Sequence, residues 1–505
     1  MKKFTIMFLA LAMMTLIAGP GAFAAGAEKV LTIGVDQEAV GLDPNIVTAF
    51  SSMRRIDLLY NRLVRYDNTF AVVPDLAESW DVPDNLTYVF HLRKGVKFHN
   101  GRELTSDDVQ YTLNRVLDTK TASPGRSYIT VIKSIEIVDR YTVKLNLTSP
   151  LPSLLDGLSS NNLAIVPKEV IEANTNLQKT ECGTGPFMLQ EWIPDNSMTL
   201  VKNPDYFEKG APAVDKVIFR VIPEQASLYA GVRSGDLDMA TINDGATIRQ
   251  AAKDSKVTVM SKPGLNMRIF SFNTSKKPFD DLRVRQAVAS ALDRAEILTI
   301  AEFGMGKPTG PLPVAATAWA LPPAKLPFAV TDVAKGKKLL ADAGYASGLS
   351  FKITCASTYE GGLAVAQVAQ DELKKIGVDA QLEVVEWGVY IDKWSKRDFE
   401  AMIELRGGSG EPDRFLYRTF HSTGGVNNFM FKDADVDKLL DQGRTQTKQA
   451  DRKVTYDSLQ SLLTTKAPAV FLYCPNENHV LGPRVSGFRQ VGNGSLFYLA
   501  YTQVK

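Results

Sequence analysis

The sequence predicts an α/β fold of at least two lobes, and three observations carry the prediction. The chain has 505 residues, more than one core organises, because single hydrophobic cores stop growing near about 250–300 residues. Strand-like and helix-like periodicities succeed one another along it. Between residues 349 and 386 a strand, a helix and a second strand follow in an order that needs neighbouring parallel strands.

The N-terminus reads as a secretory leader over residues 1–24. Lys2 and Lys3 are the positive region, "FTIMFLALAMMTLIAG" is the apolar core, and Ala22-Phe23-Ala24 is an A-x-A cleavage site. The apolar run is short for a membrane span, and no later segment is long and apolar enough to be one. No cysteine stands at the cleavage point, so a lipid anchor is not predicted. The expected destination is the periplasm, with a retained N-terminal anchor as the alternative. Losing the leader removes two lysines and no acids, which takes the formal charge from +2 to zero. A neutral chain argues against nucleic acid, which selects a concentrated basic surface.

The stretch "YVFHLRKGVKFHNGRELTSDDVQYTLNRVLD" puts two of the four histidines among basic residues. Tyr88, Phe90 and Leu92 share one parity of a half-buried strand, and Asn100-Gly101 marks a turn. Thr105 or Ser106 caps a helix whose positive end suits Asp107 and Asp108, with Val109, Leu113 and Val116 at helical spacing. His91 and His99 then fall on a strand and a turn, and their separation matches no metal-ligand pattern. The basic residues read as a solvated face.

Further on, "DRYTVKLNLTSP" and "VDKVIFRVIPE" read as strands. "QASLYAGVRSGDLDMA" is a helix leading through Ser234-Gly235 into a short strand. "FDDLRVRQAVASALDRAEILTIAEFG" reads as one helix, capped by Asp280 or Asp281, lined by Val284, Val288, Ala291, Leu292 and Ala295, and ended by Gly304. The proline-rich residues 308–328 read as an extended loop. In the crossover unit, strand "LSFKITCA" and strand "VDAQLEVVEW" flank helix "LAVAQVAQDELKKIG". Open α/β sheets bind ligands at the carboxyl ends of their strands, here Ser357–Gly362 and the segment after Trp387. Of the three cysteines, Cys355 lies on the apolar parity of its strand and is expected to be a buried thiol. Whether Cys182 and Cys474 pair is left open, because sequence gives no distance.

Eight segments together resemble the large extracytoplasmic solute-binding proteins of peptide-type ABC importers (family 5, which includes opine and nickel binders). They are "VPDLAESW", "YVFHLRKGVKFHNGRELTSDDV", "GTGPFMLQEW", "NPDYF", "FNTSKKPFDDLRVRQAVASALDR", "LLADAGY", "GEPDRFL" and "VDKLLDQGR". The resemblance implies a two-lobed periplasmic-binding-protein fold hinged on two crossing strands, near Lys262–Phe272 and Pro475–Pro483. Lobe I would take 25–264 and 480–505, with a subdomain near 45–180, and lobe II 265–479. It implies capture of a small peptide or peptide-like solute by hinge closure. Delivery would be to an ABC permease and ATPase by a monomer that needs no cofactor or metal.

Within that resemblance, lobe II offers "ELRGGSGEPDRFLYRTFHSTGGVNN". Gly407, Gly408 and Ser409 let backbone approach a ligand. Glu411 and Asp413 supply negative charge, and Arg406 suits a carboxylate. Trp387 can stack on the solute or pack in the core; Phe420, Asn427 and Asn428 are further candidates. Lobe I offers Ser160, Asn161, Asn162, Thr184 and Asp43 or Asn45, although Gly183, Thr184 and Gly185 also read as a turn. Peptide-binding members often hold the ligand ammonium with an aspartate where this chain has Gly407 or Gly408. Glu411 or Glu360 would have to replace it, unless the ligand lacks an ammonium. An arginine for the peptide carboxylate is also missing, with Tyr359 and Glu360 in its place. The alternative is a non-peptide solute: an opine, a metal chelate watched at His421, or another polar compound. A chaperone-like binder and a secreted enzyme are remoter, since no hydrolase elbow, zinc-protease helix or Walker loop is present.

Overall fold

The computed structural model describes residues 28–173, 177–357 and 362–505. The leader, Tyr359 and Glu360 lie outside them. Among the described residues no helix is long and apolar enough to cross a membrane.

A twelve-stranded mixed sheet runs through the molecule. From one edge its main path is Val378–Val385, Leu349–Ala356, Ala401–Arg406, Met267–Phe272, Ala469–Leu481, Met239–Thr241, Val30–Val35, Lys216–Val221, Ser197–Lys202 and Phe187–Ile193. The 13-residue strand Ala469–Leu481 belongs to both halves. Ala469–Tyr473 pairs with Met267–Phe272, while Asn476–Leu481 pairs with Thr258–Pro263. Its ends are buried and only Pro475, Asn476 and Glu477 in the middle are partly exposed. The strand therefore leaves one core and enters another.

The two cores are distinct. One gathers Leu31, Ile33, Phe187, Phe219, Leu481, Leu496 and Val504. The other gathers Phe270, Phe272, Val288, Ile353, Leu373 and Leu472. A separate antiparallel sheet, ordered Ala77–Asp84, Thr87–Leu92, Thr142–Leu147 and Ile132–Asp139, has its own core with helix Ser106–Leu117. There Phe90, Leu92, Val109, Leu113 and Val116 are buried as their periodicity requires. Thr105 and Asp108 cap the helix reciprocally, each accepting from the other's backbone N–H. His91 Nε2 contacts Asp81 at 2.8 Å and His99 Nδ1 contacts Glu181 at 2.6 Å, so both histidines are tied to carboxylates of the fold.

The crossover is present in full: Leu349–Ala356 and Val378–Val385 pair in parallel from Leu349↔Val378 to Ala356↔Val385, with helix Gly362–Lys374 between them. Two expectations change. The helix read over 280–304 is two helices, Leu282–Ala291 and Arg294–Ala301. Leu292 turns extended because the Asp293 carboxylate accepts from Ala295 N and Glu296 N and caps a new start. The segment after the crossover is also no loop. Glu386 accepts from Gly388 N and starts helix Trp387–Lys396. All three cysteines are free and buried, so the Cys182–Cys474 pairing is not made.

Candidate ligand-binding site

Strand Ala401–Arg406 runs buried through the second core and ends at Arg406. The chain leaves it through Gly407, Gly408 and Ser409, and Glu411 caps helix Pro412–Phe420, with Pro412 at its first position. Helix Trp387–Lys396 stands opposite. Between them lies a cavity of about 390 Å³ whose far side is closed by Tyr128, on the short helix Arg126–Ile129. A second cavity of about 380 Å³ shares Tyr128, Arg414 and Arg418 with the first and continues past Ser153, Asp413, Tyr417 and Arg444.

One wall is aromatic. Trp387 stacks on Tyr390 with ring centres 5.3 Å apart, and Trp394 Nε1 donates to Glu404 Oε2 at 2.9 Å. The other wall is cationic. Arg406 Nε donates to Glu404 at 3.0 Å, and its Nη2 donates to Asn428 Oδ1. Arg414 Nη1 donates to the Asp156 carbonyl at 2.7 Å, and Arg418 Nη1 donates to the Tyr128 hydroxyl at 3.1 Å. The Arg414 and Arg418 guanidiniums lie 4.4 and 6.0 Å from the Tyr128 ring centre. Burial pushes the Tyr128 phenol up, but the two guanidiniums outweigh it and hold the phenol below its ordinary range.

Of the residues singled out in the sequence, Trp387, Arg406, Gly407, Gly408 and Ser409 line the first cavity and Asp413 the second. Gly407 and Gly408 are not equivalent. A Cβ on Gly408 would lie 2.2 Å from the Leu265 carbonyl oxygen, whereas one on Gly407 would meet nothing closer than 3.8 Å. Space for an anchoring carboxylate therefore exists only at Gly407.

The remaining candidates form no part of the cavity walls. Glu411 is buried against Arg452, which it accepts from through both oxygens. Burial pushes its carboxyl up to about 7, with Asp156 adding to the effect and Arg452 opposing it. It is thus a buried structural partner, not a free anchor for an ammonium. Phe420 is packed in the core, stacked on Phe429 at 5.3 Å. Asn427 braces its own loop through His421 O and Phe431 O. Ser160 caps the turn Asn161–Leu163, Asn161 holds Arg62, and Asn162 donates to Pro44 O and Val47 O. Thr184 donates to Asn61 Oδ1 at 3.1 Å, between glycines packed onto the backbone of Leu58 and Leu59. Asp43 pairs with Arg115 at 2.7 Å. His421 Nε2 lies 3.6 Å from Asp441 and 3.9 Å from Asp437, and its Nδ1 contacts the Thr423 hydroxyl at 2.8 Å, so it is tied into its own loop and helix Ala434–Thr445. Among the described residues no group of three His, Cys, Asp or Glu could hold a metal ion.

Residue typing missed Tyr128, Tyr390, Trp394, Arg414 and Arg418. The available signal was the i,i+4 spacing of Arg414 and Arg418 behind a capped helix start, which puts both on one face.

A two-lobed α/β molecule with a solute-sized cavity between an aromatic and a cationic wall is a solute-binding protein of the periplasmic type. Comparison with known proteins agrees. The family described as bacterial extracellular solute-binding proteins, family 5, middle, matches residues 71–427. Heme-binding protein A of Haemophilus influenzae is 29% identical over 465 residues, covering 86% of this chain and 84% of that protein. The structure of AgaA from A. tumefaciens R10 with agropinic acid superposes with a TM-score of 0.82 at 28% identity, covering 94% of this chain and 99% of that one. DppA from Helicobacter pylori with the peptide STSA gives 0.83 at 28% identity, covering 94% and 98%. The chain belongs to family 5 of the bacterial extracellular solute-binding proteins. That family is one of substrate-binding transport proteins serving ABC importers, and its members work outside the cytoplasm.

Proposed function

We propose that the chain is exported behind residues 1–24 and captures a small peptide or peptide-like solute in the cavity between its lobes. As a monomer it then presents the closed form to a membrane permease and its ATPase. Lobe I comprises 25–264 and 480–505, with the subdomain near 45–180, and lobe II comprises 265–479. The carrying observation is the cavity's construction. Residues 387–426 supply every wall but one, and Tyr128 supplies that one from a separately cored sheet unit. At about 390 Å³ the space sits low in the roughly 300–1,000 Å³ range of small-molecule sites. Arg414–Asp156, Arg418–Tyr128 and Ser153–Asp413 bonds span the same gap. A solute held between the walls favours the closed state by its greater affinity for it. Trp387 stacks on the solute, and Arg406, Gly407, Gly408 and Ser409 frame it; Tyr359 belongs to this proposal from the sequence alone.

A non-peptide solute is the second reading, favoured by Gly407, which leaves a ligand ammonium without the expected carboxylate. The test is mass spectrometry of material released by denaturing protein purified from its own periplasm. A stoichiometric low-molecular-weight solute supports capture, and its structure decides between the two readings. Binding of unfolded chains alone, or chemical turnover of the solute, would overturn both.

A further inference from the structure

The charges around the cavity do not balance. Arg414 and Arg418 lie four residues apart on helix Pro412–Phe420, so like charges share one face. The acids nearby are already engaged. Glu404 takes Arg406 and Trp394, Asp413 takes Ser153 and Arg444, and the Asp156 carboxylate takes the Tyr66 hydroxyl at 2.7 Å. Arg414 donates to the Asp156 carbonyl and, at 3.4 Å, to the Tyr66 hydroxyl that binds the Asp156 carboxylate, so Asp156 offsets part of its charge; its buried Nε has no hydrogen-bond partner among the described residues. Arg418 forms no ion pair among the described residues; its one hydrogen bond goes to Tyr128. Arg126, on the wall of the second cavity, donates to the Leu117 carbonyl and adds a further positive charge.

Two part-buried guanidiniums held four residues apart on one tyrosine repel each other, and an anion that joins them relieves the repulsion. Guanidinium geometry suits a carboxylate or phosphate, which can take two parallel N–H donors. The opposite wall of Trp387, Tyr390 and Trp394 suits an apolar or planar group. A free ammonium would find Glu404 already occupied and a glycine at position 407.

We infer that the solute is a small organic anion. Its carboxylate or phosphate is held by Arg418 and Arg414 beside Tyr128, its apolar part lies over Trp387 and Trp394, and it carries no free ammonium. This inference rests on the solute-capture reading and takes its second, non-peptide form.

The experiment uses ligand-stripped full-length mature protein and a low-molecular-weight extract of rich medium and cells. An anion exchanger at neutral pH divides the extract into a retained anionic fraction and an unretained one holding neutral and zwitterionic compounds, simple peptides included. The anionic fraction is expected to raise the melting temperature and the unretained fraction to leave it unchanged. Arg418→Gln should weaken binding from the anionic fraction on the order of 10–100-fold, the loss of a charge-assisted contact, and Arg418→Lys should restore part of it. Phosphatase treatment separates the two chemistries: a surviving shift assigns a carboxylate, an abolished one a phosphate. A shift from the unretained fraction, or undiminished binding by Arg418→Gln, would overturn the anion assignment and leave solute capture standing. No shift from either fraction would overturn capture and the anion together. If Arg418→Gln does not fold, the comparison of the two fractions on unaltered protein decides alone.

Discussion

The Ser153 hydroxyl donates to Asp413 Oδ2 at 2.9 Å, joining residues from the two sides of the cleft. Both are buried, and the other Asp413 oxygen lies 3.3 Å from Arg444 Nε. On the proposed hinge closure this contact is made only while the walls are together, so it would stabilise closure without touching the first cavity. Ser153→Ala should therefore weaken solute binding on the order of 10–100-fold, from the value of a hydrogen bond to a charged group. The change should fall on the dissociation rate. Stopped-flow fluorescence with the co-purified solute measures it. An unchanged dissociation rate would mean that this bond does not hold the closed state.

Gly407 and Gly408 make a paired prediction. Gly408→Ala drives a methyl into the Leu265 carbonyl and Pro313, and should cost about 1–3 kcal/mol of stability. Gly407→Ala meets only ordinary contacts and should stay within about 0.5 kcal/mol of the parent. Urea unfolding of both variants separates them. Gly407→Asp then places a carboxylate beside the cavity where there is room for one. It should create or strengthen binding of zwitterionic dipeptides in a thermal-shift series, and weaken binding of any anionic solute.

Glu411 holds Arg452 inside the protein, where Arg452 also lies 5.2 Å from the Trp319 ring centre. Removing one member of a buried pair leaves an uncompensated charge, so Glu411→Ala should cost about 3–5 kcal/mol. The loss should be equal with and without solute, because Glu411 lines neither cavity. A variant of parental stability with lost binding would return Glu411 to the ligand site.

What the sequence revealed was local. Tyr88, Phe90 and Leu92 betray a strand by parity, Thr105 and Asp108 betray a helix start by capping chemistry, and residues 349–385 betray a parallel pair by their order. The break at Leu292 was hidden because Leu292, Ala295 and Ile297 carry an apolar helical pattern straight through it. Only the Asp293 side chain, choosing two backbone N–H groups over solvent, interrupts the helix. The cavity was half legible. Arg406 to Ser409 end a strand in a glycine-rich turn, which residue type can signal. Glu411, Asn427 and Asn162 are just as polar, yet they serve as caps and braces, and nothing local separates those roles from ligand contact. Tyr128 reaches the site only through the packing of a distant sheet unit.

Glu372 sets a pH dependence that the sequence does not announce. Its Oε2 accepts from Asp293 N at 2.8 Å, while its buried Oε1 has no hydrogen-bond partner among the described residues. Burial pushes the carboxyl from an ordinary 4.5 up to about 8, against the Asp293 bond and with help from Glu296. The folded protein thus keeps a proton that the unfolded chain releases above 4.5. Proton binding that is stronger in the folded state makes stability fall as pH rises through that window and level off above about 8. Glu372→Gln cannot ionise and keeps a carbonyl for Asp293 N. It should match the parent near about pH 4.5 and exceed it by on the order of 1–3 kcal/mol at about pH 8.5. Urea unfolding across that range gives the two curves. Parallel curves would show that Glu372 is already ionised in the folded protein, with its second oxygen satisfied by water.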